Sequence, residues 1–71
     1  MDAFDVLVQN LDKEIAGKRD WVASGQAKDF SDYQRMCGEI HGLLIARQEI
    51  LDLKQTMENS DEWNPYRHKP R

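Results

Sequence analysis

Cys37 is the only cysteine in the chain, so no disulfide can close within it. The usage fits a reducing compartment, or a fold that does not depend on bridges. Proline is absent before Pro65, and Pro70 is the only other one. No proline therefore interrupts a helix before residue 65. Long apolar runs are missing too: the longest is Leu43-Leu44-Ile45-Ala46, against the roughly 20 residues a membrane span needs. The N-terminus, MDAFDVLVQNLDKE, lacks the positive start and apolar stretch of a signal peptide. The expectation is a soluble chain without a membrane partner. Thirteen acids against ten bases leave a net charge of −3 with no basic excess, which argues against duplex nucleic acid as the main partner.

What is present is helical patterning. Phe4, Leu7, Val8, Leu11, Ile15 and Val22 recur at three- and four-residue steps, with Lys18 filling one turn, and predict an amphipathic helix over 2–24. Asp2 can cap it, Asp5 suits the exposed amides of the first turn, and Gly25 supplies the stop. The connector SGQAKD is short enough to force antiparallel neighbours. Either Asp29 with Asp32, or Ser31 with Gln34, starts a second helix over 30–59. Residues 60–71, with Pro65, Pro70, Trp63, Tyr66 and a basic end, read as an extended tail. The predicted fold is all-α: an antiparallel two-helix hairpin over 1–59 with a tail over 60–71.

A chain of 71 residues without a staple rarely extracts more than about 3–5 kcal/mol from its own core. Oligomerisation or docking on a larger partner is the expected completion. The second helix offers two apolar stripes for this. Phe30, Tyr33, Cys37, Ile40, Leu44 and Leu51 form one, which the wheel assigns to the first helix. Met36, Leu43, Ala46, Ile50, Leu53 and Met57 form the other, at heptad spacing, and are expected to face outward.

Gly38, Gly42 and Ala46, four apart, extend that second face. Two readings of them stand. They make room for Phe4, Leu11 or Trp21 of the first helix, or they let another helix backbone approach closely. The candidate partner-binding residues are Gly38, Gly42, Ala46, Ile50, Leu53 and Met57, with Trp63 and Tyr66 in the tail, where the Asn64-Pro65 step between them suits a groove on another protein.

Catalytic and metal chemistry find little here. Cys37 and His41 share one helix face, with His68 as the sole further imidazole, and structural zinc wants four ligands. A Cys-His nucleophile would need an orienting group and oxyanion donors that a two-helix fold does not supply. No cofactor, no metal and no enzymatic activity are predicted. Acids and bases such as Asp12, Glu49, Arg47 and Lys54 are expected on solvated faces.

The stretch ASGQAKDFSDYQRMCGEIHGLLIARQEILDL, residues 23–53, resembles a signature of short proteins from the virion gene clusters of tailed bacteriophages, near portal and head genes. The likeness rests on the Ser-Gly turn, Lys-Asp-Phe, a tyrosine, Cys-Gly-x-Ile-x-Gly-Leu and a later Asp-Leu; Met36 stands where leucine is expected. The resemblance implies a helical-hairpin component of the phage particle, made in the host cytoplasm, that docks on a portal or head protein or on copies of itself. The rival expectation is a free dimeric regulator or inhibitor of a host protein, closed as a four-helix bundle. A nucleic-acid accessory using Arg67, His68, Lys69 and Arg71 would betray itself by salt-dependent binding.

Overall fold

The computed structural model describes residues 1–59, so the expected tail, with Trp63 and Tyr66, lies outside the described residues. The chain is all-helical there, with α1 over Ala3–Ala23 and α2 over Phe30–Asn59 packed against each other. Both helices begin within a residue of where their caps predict.

Each start is an aspartate pair three residues apart. The Asp2 carboxylate accepts from the Asp5 amide at 2.9 Å, and the Asp5 carboxylate accepts from the Asp2 amide, which closes a capping box. For α2 the choice falls on Asp29, whose side chain accepts from the Asp32 amide at 2.8 Å. Asp32 in turn accepts from the amide of Lys28 at 3.1 Å. Two backbone donors are thereby satisfied at the start of each helix.

Helix α1 stops by geometry rather than by charge. Gly25 adopts φ 76°, and its amide donates to the Val22 carbonyl while the Gln26 amide reaches back to that of Trp21. This is the double reverse bond of a Schellman turn. A side chain at such a φ costs roughly 1–2 kcal/mol, although a methyl there would meet no neighbouring atom. Gly25→Ala should therefore lower stability by about 1 kcal/mol through the backbone alone, as a denaturant melt followed by helical circular dichroism would register; an unchanged midpoint would contradict the assignment.

Three cross-helix ion pairs define the packing. Asp5 meets Lys54, Asp12 meets Arg47 and Lys18 meets Glu39. Numbers rise along one helix as they fall along the other, so the helices are antiparallel. Between these pairs runs a seam in which each helix contributes residues at alternating four- and three-residue steps. On α1 these are Phe4, Val8, Leu11, Ile15, Lys18 and Val22; on α2 they are Met36, Ile40, Leu43, Arg47, Ile50 and Lys54. All are buried or half-buried, and Ile15 and Met36 are the two buried residues among those described.

This register corrects the expected assignment of stripes in part: Ile40 lies in the seam and Leu53 and Met57 are exposed, as expected, and the other positions change. Met36, Leu43 and Ile50 face α1, with Ile50 held between Arg47 and Lys54, both of which bind α1. Phe30, Tyr33 and Leu44 are the exposed ones. The two stripes lie about 100° apart on the wheel, and charge complementarity decides between them: only with Arg47 and Lys54 at the seam do the carboxylates of Asp12 and Asp5 find partners.

Candidate interaction surface

The seam's edges are electrostatic on both sides. Lys54, half-buried, reaches three carboxylates: Asp5, with Asp2 at 3.9 Å and Glu58 at 4.0 Å. It thus ties the far end of α2 to the cap of α1. The Lys54 ammonium and the Asp2 amide together hold the Asp5 carboxyl below the usual carboxylate range, and the same contact raises Lys54.

Near the connector, Glu39 accepts from Lys18 at 2.8 Å and also binds Arg35, which in turn donates to Asp32 at 2.9 Å. Lys18 first and Arg35 after it lower Glu39; Arg35 first and the Lys28 amide after it lower Asp32; Asp32 first, then Glu39, raise Arg35. Carboxylates pinned in their charged form are poor proton carriers at neutral pH. Their arrangement is that of a clasp.

A pH dependence follows. Because Asp5, Asp32 and Glu39 are lowered in the fold, the stability they contribute is complete above the unfolded carboxyl values of about 3.9–4.3 and is lost as pH falls through their native ones. The raised Lys54 and Arg35 contribute fully below their unfolded values, the lower of which is about 10.4. The melting temperature should be flat between about pH 5 and 9 and decline below about pH 4. A rise on acidification from pH 5 to 3, in scans at constant ionic strength, would contradict these pairings.

Shallow grooves flank the seam. One of about 320 Å³ is lined by Glu14, Gly17, Lys18, Trp21 and Met36, which places Trp21, half-buried, beside the buried methionine near the connector. The other, of about 360 Å³, is lined by Asp12, Ile15, Ala16, Arg19, Leu44 and Arg47. Its acid and one of its bases are already paired with each other at 2.6 Å. Among the described residues no group of three or more His, Cys, Asp or Glu side chains could hold a metal ion, and no helix is long and apolar enough to cross a membrane.

The predicted partner residues separate by position. Gly38 and Gly42 are exposed, and a methyl added to either would meet nothing within 4 Å. They do not make room for Phe4, Leu11 or Trp21, so that reading of the small residues is set aside. Leu53 and Met57 are exposed on the same side, Ala46 is half-buried beside them, and Ile50 belongs to the seam. Trp63 and Tyr66 fall outside the described residues.

Sequence reasoning placed Lys18 in the stripe of the first helix but passed over Glu39, Arg47 and Lys54 as parts that hold the hairpin together. The available signal is the alternation of fours and threes from Met36 to Lys54, which includes both bases. The exposed stripe left over carries a stacked ring pair, Phe30 and Tyr33, with centroids 6.2 Å apart. The Cys37 thiol next to it pushes the Tyr33 phenol up. No protein-family model matches the chain, and no curated protein or solved structure is significantly similar to it.

Proposed function

We propose that the chain is a non-enzymatic assembly protein that works by protein–protein contact. One observation supports this above the rest. Among the described residues two side chains are buried, while Val6, Leu7, Phe30, Tyr33, Leu44, Ile45, Leu53 and Met57 are exposed, an imbalance typical of a unit completed by another surface.

The resemblance of residues 23–53 to virion-cluster proteins of tailed phages supplies the setting: a small accessory of the particle, seated on a portal or head protein or on copies of itself. The face carrying Gly38, Gly42, Ala46, Leu53 and Met57 is the docking face in this reading, with Trp63 and Tyr66 as tail anchors. Open space around both glycines lets a partner backbone come close. Gly42→Leu should leave the helicity of the purified chain intact and remove it from assembled particles. Mass spectrometry of purified particles measures this, and equal incorporation of wild type and variant would sink the docking face. Absence of the wild-type chain from particles, together with a discrete dimer in solution, would favour the free regulator of a host protein instead.

A further inference from the structure

The outward stripe of α2 has a property that burial alone does not explain. Its positions at heptad spacing are Phe30, Cys37, Leu44 and Leu51, and the alternate positions are Gln34, His41, Gln48 and Gln55. With Tyr33 at one edge, the positions so named hold no Asp, Glu, Lys or Arg over 26 residues of helix, in a chain that is 32% charged; Asp52, at the wheel angle of Gln34, lies on the other edge near the end of the stripe and accepts from Gln48 at 2.9 Å. Phe30, Tyr33, Gln34, His41, Leu44, Gln48 and Gln55 are exposed, and Cys37 and Leu51 are half-buried. Depletion of charge beside apolar and aromatic side chains marks the centre of an interface. The stripe lies about 130° round α2 from Gly42, so it is a different surface from the docking face proposed above.

We infer that this stripe pairs with the same stripe of a second copy of the chain, antiparallel, with the two-fold axis passing between residues 40 and 41, so that two hairpins close into a four-helix bundle. The occupant follows from three features. A two-fold contact lays a patch on itself, so any charged residue near its centre meets a like charge; a stripe without charges is the kind that can do this.

The apolar positions are also symmetric about that axis. Phe30 falls opposite Leu51 of the second copy and Cys37 opposite its Leu44, with Tyr33 opposite Gln48, where a hydroxyl can meet an amide. The Cys37–Leu44 layers then join a small side chain to a large one, and no layer joins two of the smallest or two of the largest. A parallel pairing would stack Phe30 on Phe30 and Cys37 on Cys37, leaving one layer crowded and another empty, and would align the two helix dipoles unfavourably. Finally, the groove that borders the stripe sets Ile15, Ala16 and Leu44 beside Asp12, Arg19 and Arg47, so α1 edges the same contact with the charged rim that surrounds an interface centre.

This deepens the contact-making reading without depending on the phage setting. The test uses the full chain. Light scattering after size exclusion at tens of micromolar should give twice the 8.3 kDa chain mass. Leu44→Glu, which sets carboxylates into the neutral centre of the contact, should weaken pairing on the order of 100-fold, while Val6→Glu, at an exposed position on the far side of α1, should leave it unchanged. Both variants should keep wild-type helicity at low temperature.

Register is read by oxidation. In wild type the two Cys37 thiols are displaced by seven residues, about 10 Å along the axis, beyond disulfide reach, and no covalent dimer should form. Leu44→Cys should form one readily, through Cys37 of the opposite copy. A chain that stays monomeric, a Leu44→Glu variant that pairs as tightly as wild type, or a wild-type chain that links through Cys37 would each overturn the inference. A monomer still present in phage particles would overturn self-pairing and leave the assembly reading in place.

Discussion

Ile15→Ala should unfold the protein at room temperature. Ile15 is 4% exposed and sits at the middle of the α1 side of the seam, and Met36 is the only other buried residue among those described. Truncating a buried isoleucine costs about 2–5 kcal/mol, as much as a single small core supplies. Neighbours cannot collapse into the space cheaply, since the ladder of Asp12 with Arg47 and Lys18 with Glu39 fixes the helix spacing on either side. Helical circular dichroism at 25 °C should fall to that of a mostly unfolded chain, and Ile15→Val should cost about 0.5–1.5 kcal/mol and keep the fold. Ile45→Ala, at a position 49% exposed on the opposite face of α2, should change stability by under about 0.5 kcal/mol. A melt of Ile15→Ala that overlays the wild type would show that the seam does not hold the hairpin.

The contrast between what could and could not be read from the sequence has a physical cause. Helix ends are local: Asp2 with Asp5, Asp29 with Asp32, and Gly25 with its reverse bonds each act within five residues, so spacing alone exposes them. The seam is not local. Stripes centred on Met36, Leu43 and Ile50 and on Phe30, Cys37 and Leu44 are both apolar and differ by one residue in phase. Apolarity therefore could not choose between them.

Charge could, but only if bases are allowed into a seam. Lysine and arginine lay their stems along apolar surface and place the charge at the rim; Lys54, its side chain 24% exposed, does this and still reaches Asp5. Treating charged residues as markers of the solvent face inverts the assignment. The glycines show the same limit in another form. Their four-residue spacing is visible in the sequence, but whether a methyl would strike the other helix depends on a phase that the ion pairs set. Trp63 and Tyr66, expected as tail anchors, lie outside the described residues, so their share of the candidate site rests on the sequence.

The absence of neighbours at the glycines makes the second large effect a stabilisation. Gly17, Gly38 and Gly42 lie inside helices, none has a positive φ, and a Cβ at any of them would meet nothing within 4 Å. Each glycine costs about 0.8–1.0 kcal/mol against alanine in an exposed helix interior, through backbone entropy that folding must remove. Replacing all three by alanine should raise stability by about 2–3 kcal/mol, since each gain is a backbone term of its own position and none of the added methyls meets a neighbour. In a domain of this size that is a rise of roughly 10–20 °C in melting temperature. Differential scanning calorimetry at two protein concentrations reads the gain and separates it from any change in self-association. No gain, or a loss, would mean that a contact in the folded assembly already occupies the space beside Gly38 and Gly42. The single Gly17→Ala variant, on the other helix, divides the two explanations: it should keep its share of about 1 kcal/mol whatever meets α2. A chain that retains such costly residues in the face its proposed partner uses is trading helix stability for closeness of approach, and the size of that trade is what the calorimeter would measure.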